Sequence, residues 1–450
     1  MTGKQLILDV LAGKEVERCP WVPYTGSQIA NLKGYTAEEI FKDGDKLLEC
    51  LLEAASQYTP DGMPPIFDLQ VEAEILGCDL TWYKNTPPTV CSHPLDGLTL
   101  EIPTQRLQKT DGRIPLILDV MKRFKAAQPD IAMYGLVCGP FTLASHLRGT
   151  NIFMDMYDNE EGVKALVDYC ADVVADLAKY YIEAGCDIIA AVDPLVSQIS
   201  PDMFNTFLKE PYTKLFDAIK AENVPSCFFV CGDATKNIEP MCETGTQCIA
   251  IDENVDILAA KEVTDKYDVT ISGNLQLTVT MLLGTQQDNQ KEAIELMDKM
   301  GTKRFILAPG CDVPFDAPAA NLIGVGQAVH NKEAVRKALE NYVAQDNLPE
   351  IEMPDYASLD YVLVEVVTID SKTCAACGYM TKAANDAAAT MGDRVKVVER
   401  SMMYPENLAF MNKIGLKNAP SIVINGEIKH ISLIPTVEDL REEIAAAEQK

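Results

Sequence analysis

From residue 18 to residue 311 the chain alternates short apolar runs with longer stretches in which apolar residues recur every three or four positions. The runs at 19–24, 65–69, 131–138, 187–192, 226–230, 247–251, 269–272 and 304–308 have the length and composition of buried strands. Between them, 159–184, 201–222 and 288–300 carry the helical period. Eight strands that mostly alternate with helices read as parallel βα units, and eight is the number that closes a (β/α)8 TIM barrel, the α/β fold expected for residues 1–348. Residues 76–113 break this rhythm. Their proline pair and the alternation of Leu98, Leu100 and Ile102 predict a hairpin inserted on the barrel rim.

Residues 349–356 begin Pro-Glu-Ile-Glu-Met-Pro and read as an acidic linker, because proline at both ends disfavours helix. From 357 to 450 the pattern restarts. Strands are expected at 361–368, 395–399, 421–425 and just after Gly426, with helices at 379–391, 406–414 and 437–447, a βαβαββα order. Cys374-Ala-Ala-Cys377 falls between the first of these strands and the first helix. A thiol at a helix N-terminus is favoured as thiolate, so one cysteine attacks while its neighbour resolves. With Gly415-Leu-Lys-Asn-Ala-Pro-Ser-Ile-Val-Ile-Asn-Gly426, the segment resembles the thioredoxin family, and its small glutaredoxin-like members most. That resemblance implies redox roles for Cys374 and Cys377, and a cis proline, here Pro420, lying against the dithiol. Half a zinc knuckle is the competing reading, but only His430 lies nearby to supply further ligands.

Composition narrows the partners. The chain is 47% hydrophobic and 24% charged without low-complexity tracts, and its formal net charge of −28 argues against nucleic acid and anionic membranes. No uninterrupted apolar stretch is long enough to span a bilayer. Residues 1–15 lack the basic and apolar segments of a secretory signal. With fourteen cysteines, the expectation is a cytoplasmic protein whose thiols serve as ligands, nucleophiles or core residues. Cys50, Cys170, Cys186 and Cys242 fall on apolar faces and are expected in the core.

Directly after the apolar runs come Cys138-Gly139-Pro140, Asp193-Pro194, Cys231-Gly232-Asp233, Asp252-Glu253-Asn254, Gly273-Asn274 and Gly310-Cys311-Asp312. Polar residues at the C-terminal ends of barrel strands converge on one mouth, where such enzymes keep their chemistry. Turn formation accounts for glycine, asparagine and aspartate there, but not for recurring cysteine. Cys231 and Cys311 would offer two thiolates to zinc, with histidine or carboxylate completing the set. Zinc would hold a substrate thiol as a nucleophilic thiolate.

Five stretches resemble the uroporphyrinogen decarboxylase superfamily: Gly135-Leu-Val-Cys-Gly-Pro-Phe-Thr-Leu-Ala144, Glu183-Ala-Gly-Cys-Asp-Ile-Ile-Ala-Ala-Val-Asp-Pro194, Cys231-Gly232, Ser272-Gly-Asn274 and Leu307-Ala-Pro-Gly-Cys-Asp312. The nearest branch is the corrinoid-dependent one that includes methylcobamide:coenzyme M methyltransferases. There a His-x-Cys-Gly and a Gly-Cys supply zinc ligands, which implies Cys231 and Cys311 here, while the histidine position is Phe229. Glu253 is the carboxylate expected to complete the site, with Asp252, His146 and the more distant Cys227 as other candidates. Gly139, Asp252 and Asn274 are expected to face the cofactor. Asp193 is a candidate catalytic residue that could bind a ring nitrogen or substrate, or simply turn the chain. Glu72 and His93 are further candidates on the rim insertion. The arginine-bearing segment of true decarboxylases is replaced by Tyr24-Thr-Gly-Ser-Gln-Ile, so porphyrinogen decarboxylation is not expected. No corrinoid-binding Asp-x-His-x-x-Gly segment is present, so the methylcorrinoid is expected on a partner corrinoid protein. The resemblance thus implies a methyltransferase of anaerobic metabolism that moves a methyl group between that corrinoid and a thiol or other small acceptor, with a thiol reductant serving the dithiol. The competing expectation is a thiol–disulfide redox protein whose barrel only binds substrate.

Overall fold

The computed structural model describes residues 1–343, 348–369, 371, 375–389 and 391–448. The chain divides into two units: Met1–Val196 with Ser200–Ala344, and Ser197–Ile199 with Gln345–Lys450.

In the first unit, β1 (Gly62–Met63) precedes a two-stranded antiparallel hairpin, β2 (Leu80–Thr81) and β3 (Thr89–Val90). Then come β4 (Ala132–Cys138), β5 (Ile188–Val192), β6 (Ser226–Val230), β7 (Cys248–Ile251), β8 (Thr270–Leu275) and β9 (Phe305–Pro309). The sheet runs β1-β4-β5-β6-β7-β8-β9 with every pair parallel. Its two edges meet on residues 20–24. Leu307 N donates to Pro20 O at 2.9 Å and Val22 N donates to Leu307 O at 3.0 Å. On the other side Asp61 N and Gly62 N both donate to Trp21 O, at 2.9 and 3.4 Å. The result is a TIM-barrel-like α/β fold. Each of these strands is buried along its length, which is why the sequence shows them as continuous apolar runs rather than alternation. Inside the barrel Tyr24, Tyr134, Cys227, Phe229, Cys248 and Ile306 form one buried cluster. Among the described residues no helix is long and apolar enough to cross a membrane.

Five local expectations are corrected. Residues 19–24 form no strand but meet the sheet at an isolated parallel bridge, Trp21 to Leu307, so the sheet has seven strands where eight were expected. Residues 65–69 are not a strand; the strand is Gly62–Met63, and Pro64-Pro65 behind it carry no N–H for a ladder. The rim hairpin lies at β2–β3 rather than at residues 98–102, where Leu98 is fully exposed. The stretch 201–222 is two helices, Pro201–Phe207 and Lys209–Ala221. Pro211 sits in the first turn of the second, where a missing N–H costs nothing; in one continuous helix it would break a bond. Finally, β8 runs through Leu275, so Asn274 lies inside the strand instead of after it.

The second unit orders its elements βαβαββα. They are β10 (Val362–Thr368), the helix Ala375–Ala388, β11 (Val395–Ser401), the helix Pro405–Ile414, β12 (Ser421–Ile424), β13 (Glu427–Ile431) and the helix Val437–Ala447. The sheet order is β11-β10-β12-β13, with β10 parallel to β11 and antiparallel to β12. One face of β10 (Val362, Val364, Val366) packs with Met380, Ala384, Leu440 and Ile444. On the other face the buried Glu365 carboxylate accepts bonds from the Arg400 guanidinium and from Tyr356 Oη at 2.9 Å. The Ala419–Pro420 peptide is cis.

Gly62 tests the packing of the barrel floor. A Cβ there would lie 2.7 Å from both Ile7 Cδ1 and Tyr134 Cε2. Gly62→Val is expected to lower unfolding stability by about 1–3 kcal/mol, read as a reduced urea midpoint.

Candidate functional site

The mouth of the barrel is assembled by the loops after β6, β7, β8 and β9. Cys231 directly follows β6 and Cys311 follows β9 by one residue. Their Cα atoms are 5.6 Å apart and their sulphurs are joined as a disulfide. Both are half-buried and rest on the interior cluster, so the bridge roofs the barrel. Beneath it Phe229 is fully buried, its ring 4.6 Å from that of Tyr24 and 6.0 Å from that of Phe67. The position that resemblance assigns to a histidine ligand is therefore filled by one member of an aromatic stack.

Glu253 is close behind: a Cβ on Gly310 would lie 2.5 Å from Glu253 N. Its Oε2, however, accepts a short bond from Leu277 N. Among the described residues no group of three or more His, Cys, Asp or Glu side chains is arranged to hold a metal ion. With two sulphurs bonded to each other, phenylalanine at the third position and Glu253 capping a turn, the donor set does not fit zinc in this state.

The other rim candidates are used by the backbone. Asp193, fully buried at the end of β5, accepts from Phe141 N at 2.9 Å, Thr142 N at 3.2 Å, Thr142 Oγ1 at 2.7 Å and, in a short bond, Tyr212 Oη. Burial raises the proton affinity of its carboxyl while these donors oppose that shift. Gly139 makes the arrangement possible, since a Cβ there would sit 2.3 Å from Asp193 Cβ. Asp252 accepts from Gly232 N at 2.8 Å and from Asn254 N and Nδ2 at 2.9 and 2.6 Å. Asn274 Nδ2 donates to Asp252 O at 3.0 Å and Val255 O at 2.8 Å, tying β8 to the loop after β7. Sequence reasoning missed Tyr212, whose only signal is its place in an apolar helix face, and it missed that Asp312 accepts from Gly26 N at 2.7 Å.

Several carboxyls here are held towards their neutral form. Burial pushes Glu72 up to about 7, Glu253 to about 8, Glu292 to about 7 and Asp312 to about 8. Glu72 Oε1 accepts from Cys138 N at 2.9 Å at the end of β4, which puts this carboxyl at the mouth. His146 is also buried and its pKa is lowered to about 4, by burial first and by His93 second. His93 Nδ1 contacts His146 O at 2.8 Å.

In the second unit Cys374 lies outside the described residues. Cys377 is fully buried in the first turn of the helix that begins at Ala375, and its Sγ accepts from Ile369 N at 3.4 Å. Pro420 is buried immediately before β12.

Fold and site together define a TIM-barrel-like α/β protein with a sulphur pair and buried carboxyls at the C-terminal ends of its strands. The chain belongs to the uroporphyrinogen decarboxylase (URO-D) family, which it matches over residues 2–332. It is 30% identical over 334 residues to a methylcobamide:CoM methyltransferase of Methanosarcina acetivorans, an alignment covering 71% of this chain and 95% of that protein. A uroporphyrinogen decarboxylase of Trichodesmium erythraeum is 25% identical over 289 residues, covering 62% of this chain and 80% of that one. Among solved structures a methyltransferase from Methanosarcina mazei superposes with a TM-score of 0.66 at 24% identity, covering 75% of this chain and 99% of that chain.

Two measurements probe this site. Asp193→Ala strips four donors of their acceptor and is expected to cost at least about 3 kcal/mol in unfolding stability, with Asp193→Asn milder. The raised carboxyls make stability depend on pH. Each binds its proton more tightly folded than unfolded, so its contribution is full below about pH 4 and is lost as pH rises through about 7 to 8. The urea midpoint is expected to fall between about pH 5 and about pH 9, and to fall less steeply in Glu72→Gln. A midpoint flat over that range in the unaltered chain contradicts the assignment.

Proposed function

We propose that the barrel moves a methyl group between a corrinoid carried on a partner protein and a thiol or other small acceptor, and that the second unit is a thioredoxin-like dithiol domain. The observation that carries the reading is the convergence of Cys231 and Cys311 on the barrel mouth, the two positions at which the methyltransferase branch keeps cysteine. Family membership and the activities of the chain's relatives support it. Methyl transfer to sulphur is a displacement in which the acceptor must lose its proton and be held away from water. Glu253, whose carboxyl is pushed up to about 8, has the proton affinity to take that proton near neutral pH. The dithiol is proposed to reduce a disulfide form of the acceptor, using Cys374 as attacking thiol and Cys377 as resolving thiol, with Pro420 beside them. The βαβαββα order and the burial of Cys377 in the first turn of a helix support that part. Zinc is given no step. On reduced Cys231 and Cys311 it would need Glu253 to leave Leu277 N.

A second reading, a thiol–disulfide redox protein whose barrel only binds substrate, is favoured by Phe229 and by the oxidised state of the mouth cysteines. One experiment separates the two. The full chain, reduced and kept anaerobic, is mixed with methylcobalamin and a panel of thiols, and methylated product and metal content are followed together. Transfer to at least one thiol is expected, reduced by about 100-fold or more in Cys231→Ser and in Cys311→Ser. Zinc lost together with activity in both variants supports a ligand role for the pair. No transfer to any acceptor, before or after reduction, overturns the methyltransferase reading.

A further inference from the structure

The Cys231–Cys311 bridge does no evident work for the fold. In the sheet β7 and β8 separate β6 from β9, so the bridge spans the mouth instead of reinforcing a ladder. The barrel is already closed through Trp21. Each flanking loop has its own anchor: Asp252 holds Gly232 N, and Asp312 holds Gly26 N. Both cysteines have a glycine next to them. Gly232 takes a φ of +91°. At Gly310 a Cβ would lie 2.5 Å from Glu253 N, so its missing side chain lets the loops approach. Both bridged residues keep part of their surface exposed, whereas among the described free cysteines of the first unit every one but Cys91 is buried. A disulfide that is partly exposed, lies in the reacting mouth and is superfluous for closure has the properties of an exchangeable one.

From this geometry we infer that Cys231–Cys311 is an electron-accepting site whose reactant is a protein dithiol. One thiolate of the dithiol attacks a bridge sulphur, forming a mixed disulfide and releasing the other cysteine as thiolate. The second thiolate of the dithiol then breaks the mixed disulfide and frees the first cysteine. Two electrons pass to the barrel, the dithiol becomes a disulfide, and the two protons it gives up balance the two thiolates released. The inference rests on the mouth sulphurs being reactive and does not depend on methyl transfer. Such a dithiol has two sources: Cys374 and Cys377 of this chain, or a separate thioredoxin.

The test uses the full chain purified without reductant, alkylated under native conditions and mapped by mass spectrometry. Cys231 and Cys311 are expected to be unlabelled and linked at the outset, and both to become labelled after equimolar reduced thioredoxin is added, with an unchanged circular dichroism spectrum. A dilute sample of Cys377→Ser distinguishes the source. A Cys374 peptide crosslinked to the Cys231 or Cys311 peptide identifies the chain's own dithiol, and reduction by thioredoxin without that crosslink identifies an external one; both support the inference. It is overturned if the two thiols label fully before any reductant, or if the link opens only after denaturation. Because the readout is labelling, failure here is distinct from failure to move a methyl group.

Discussion

Trp21 O accepts from Asp61 N and Gly62 N while its neighbours Pro20 and Val22 bond to Leu307, and the Asp61 carboxylate accepts a 2.9 Å bond from Trp21 N. The same carboxylate grips Arg18 through both oxygens at 2.6 Å. Asp61 is 2% exposed, so this is a desolvated charge whose loss would leave an arginine and a backbone donor unmatched. Parallel ladders ordinarily spread their bonds over several residues. Here closure is concentrated on the backbone of three residues, Pro20, Trp21 and Val22, and on one carboxylate. All that follows at the mouth depends on it, because only a closed sheet turns the last residues of its strands into a ring, within which the loops after two separated strands can meet.

The ring's carboxylates divide into two kinds. Asp193 and Asp252 each accept from two backbone N–H groups and act as pins that fix where each loop leaves the sheet. A carboxylate whose oxygens already accept several bonds has little capacity left for a substrate. Glu72, Glu253 and Asp312 differ, since burial brings the proton affinity of each into the neutral range. Proton transfer at the mouth therefore falls more naturally to these three carboxyls than to Asp193 and Asp252.

The strand positions from β4 to β9 were legible because strands buried on both faces must be apolar throughout, and no other constraint competes with that pattern. In the second unit the β-branched run of β10 and the turn residues around Gly426 made the element order legible as well. The seam was not. A segment joined to the sheet through a few bonds at Trp21 has no periodicity of its own, and Pro64-Pro65 displaced its neighbour β1 to a two-residue strand. Which strand ends meet across the mouth is likewise a property of loop paths, on which spacing is silent. Cys231 and Cys311 were identifiable as candidates from their places after strands, but their covalent partnership was not. Asp193 read equally as reagent or turn former, and only the approach of Phe141, Thr142 and Tyr212 decides how its oxygens are occupied.

Phe229 links the aromatic interior of the barrel to the sulphur pair above it. A histidine at that position would carry a polar ring into a cluster where Tyr24 and Phe67 supply apolar surface, and its nitrogens would need partners at burial costs of about 1–3 kcal/mol each. Phenylalanine removes that cost and fills the space beneath the bridge. It also removes the donor that would hold a metal against Cys231, leaving two sulphurs whose nearest satisfactory partner is each other. A pair that binds zinc is protected from oxidation by the ion; a pair without it alternates between dithiol and disulfide according to the reductants it meets. Under the exchange inferred above, a barrel with phenylalanine at this position has a physical reason to share its chain with a Cys-x-x-Cys segment.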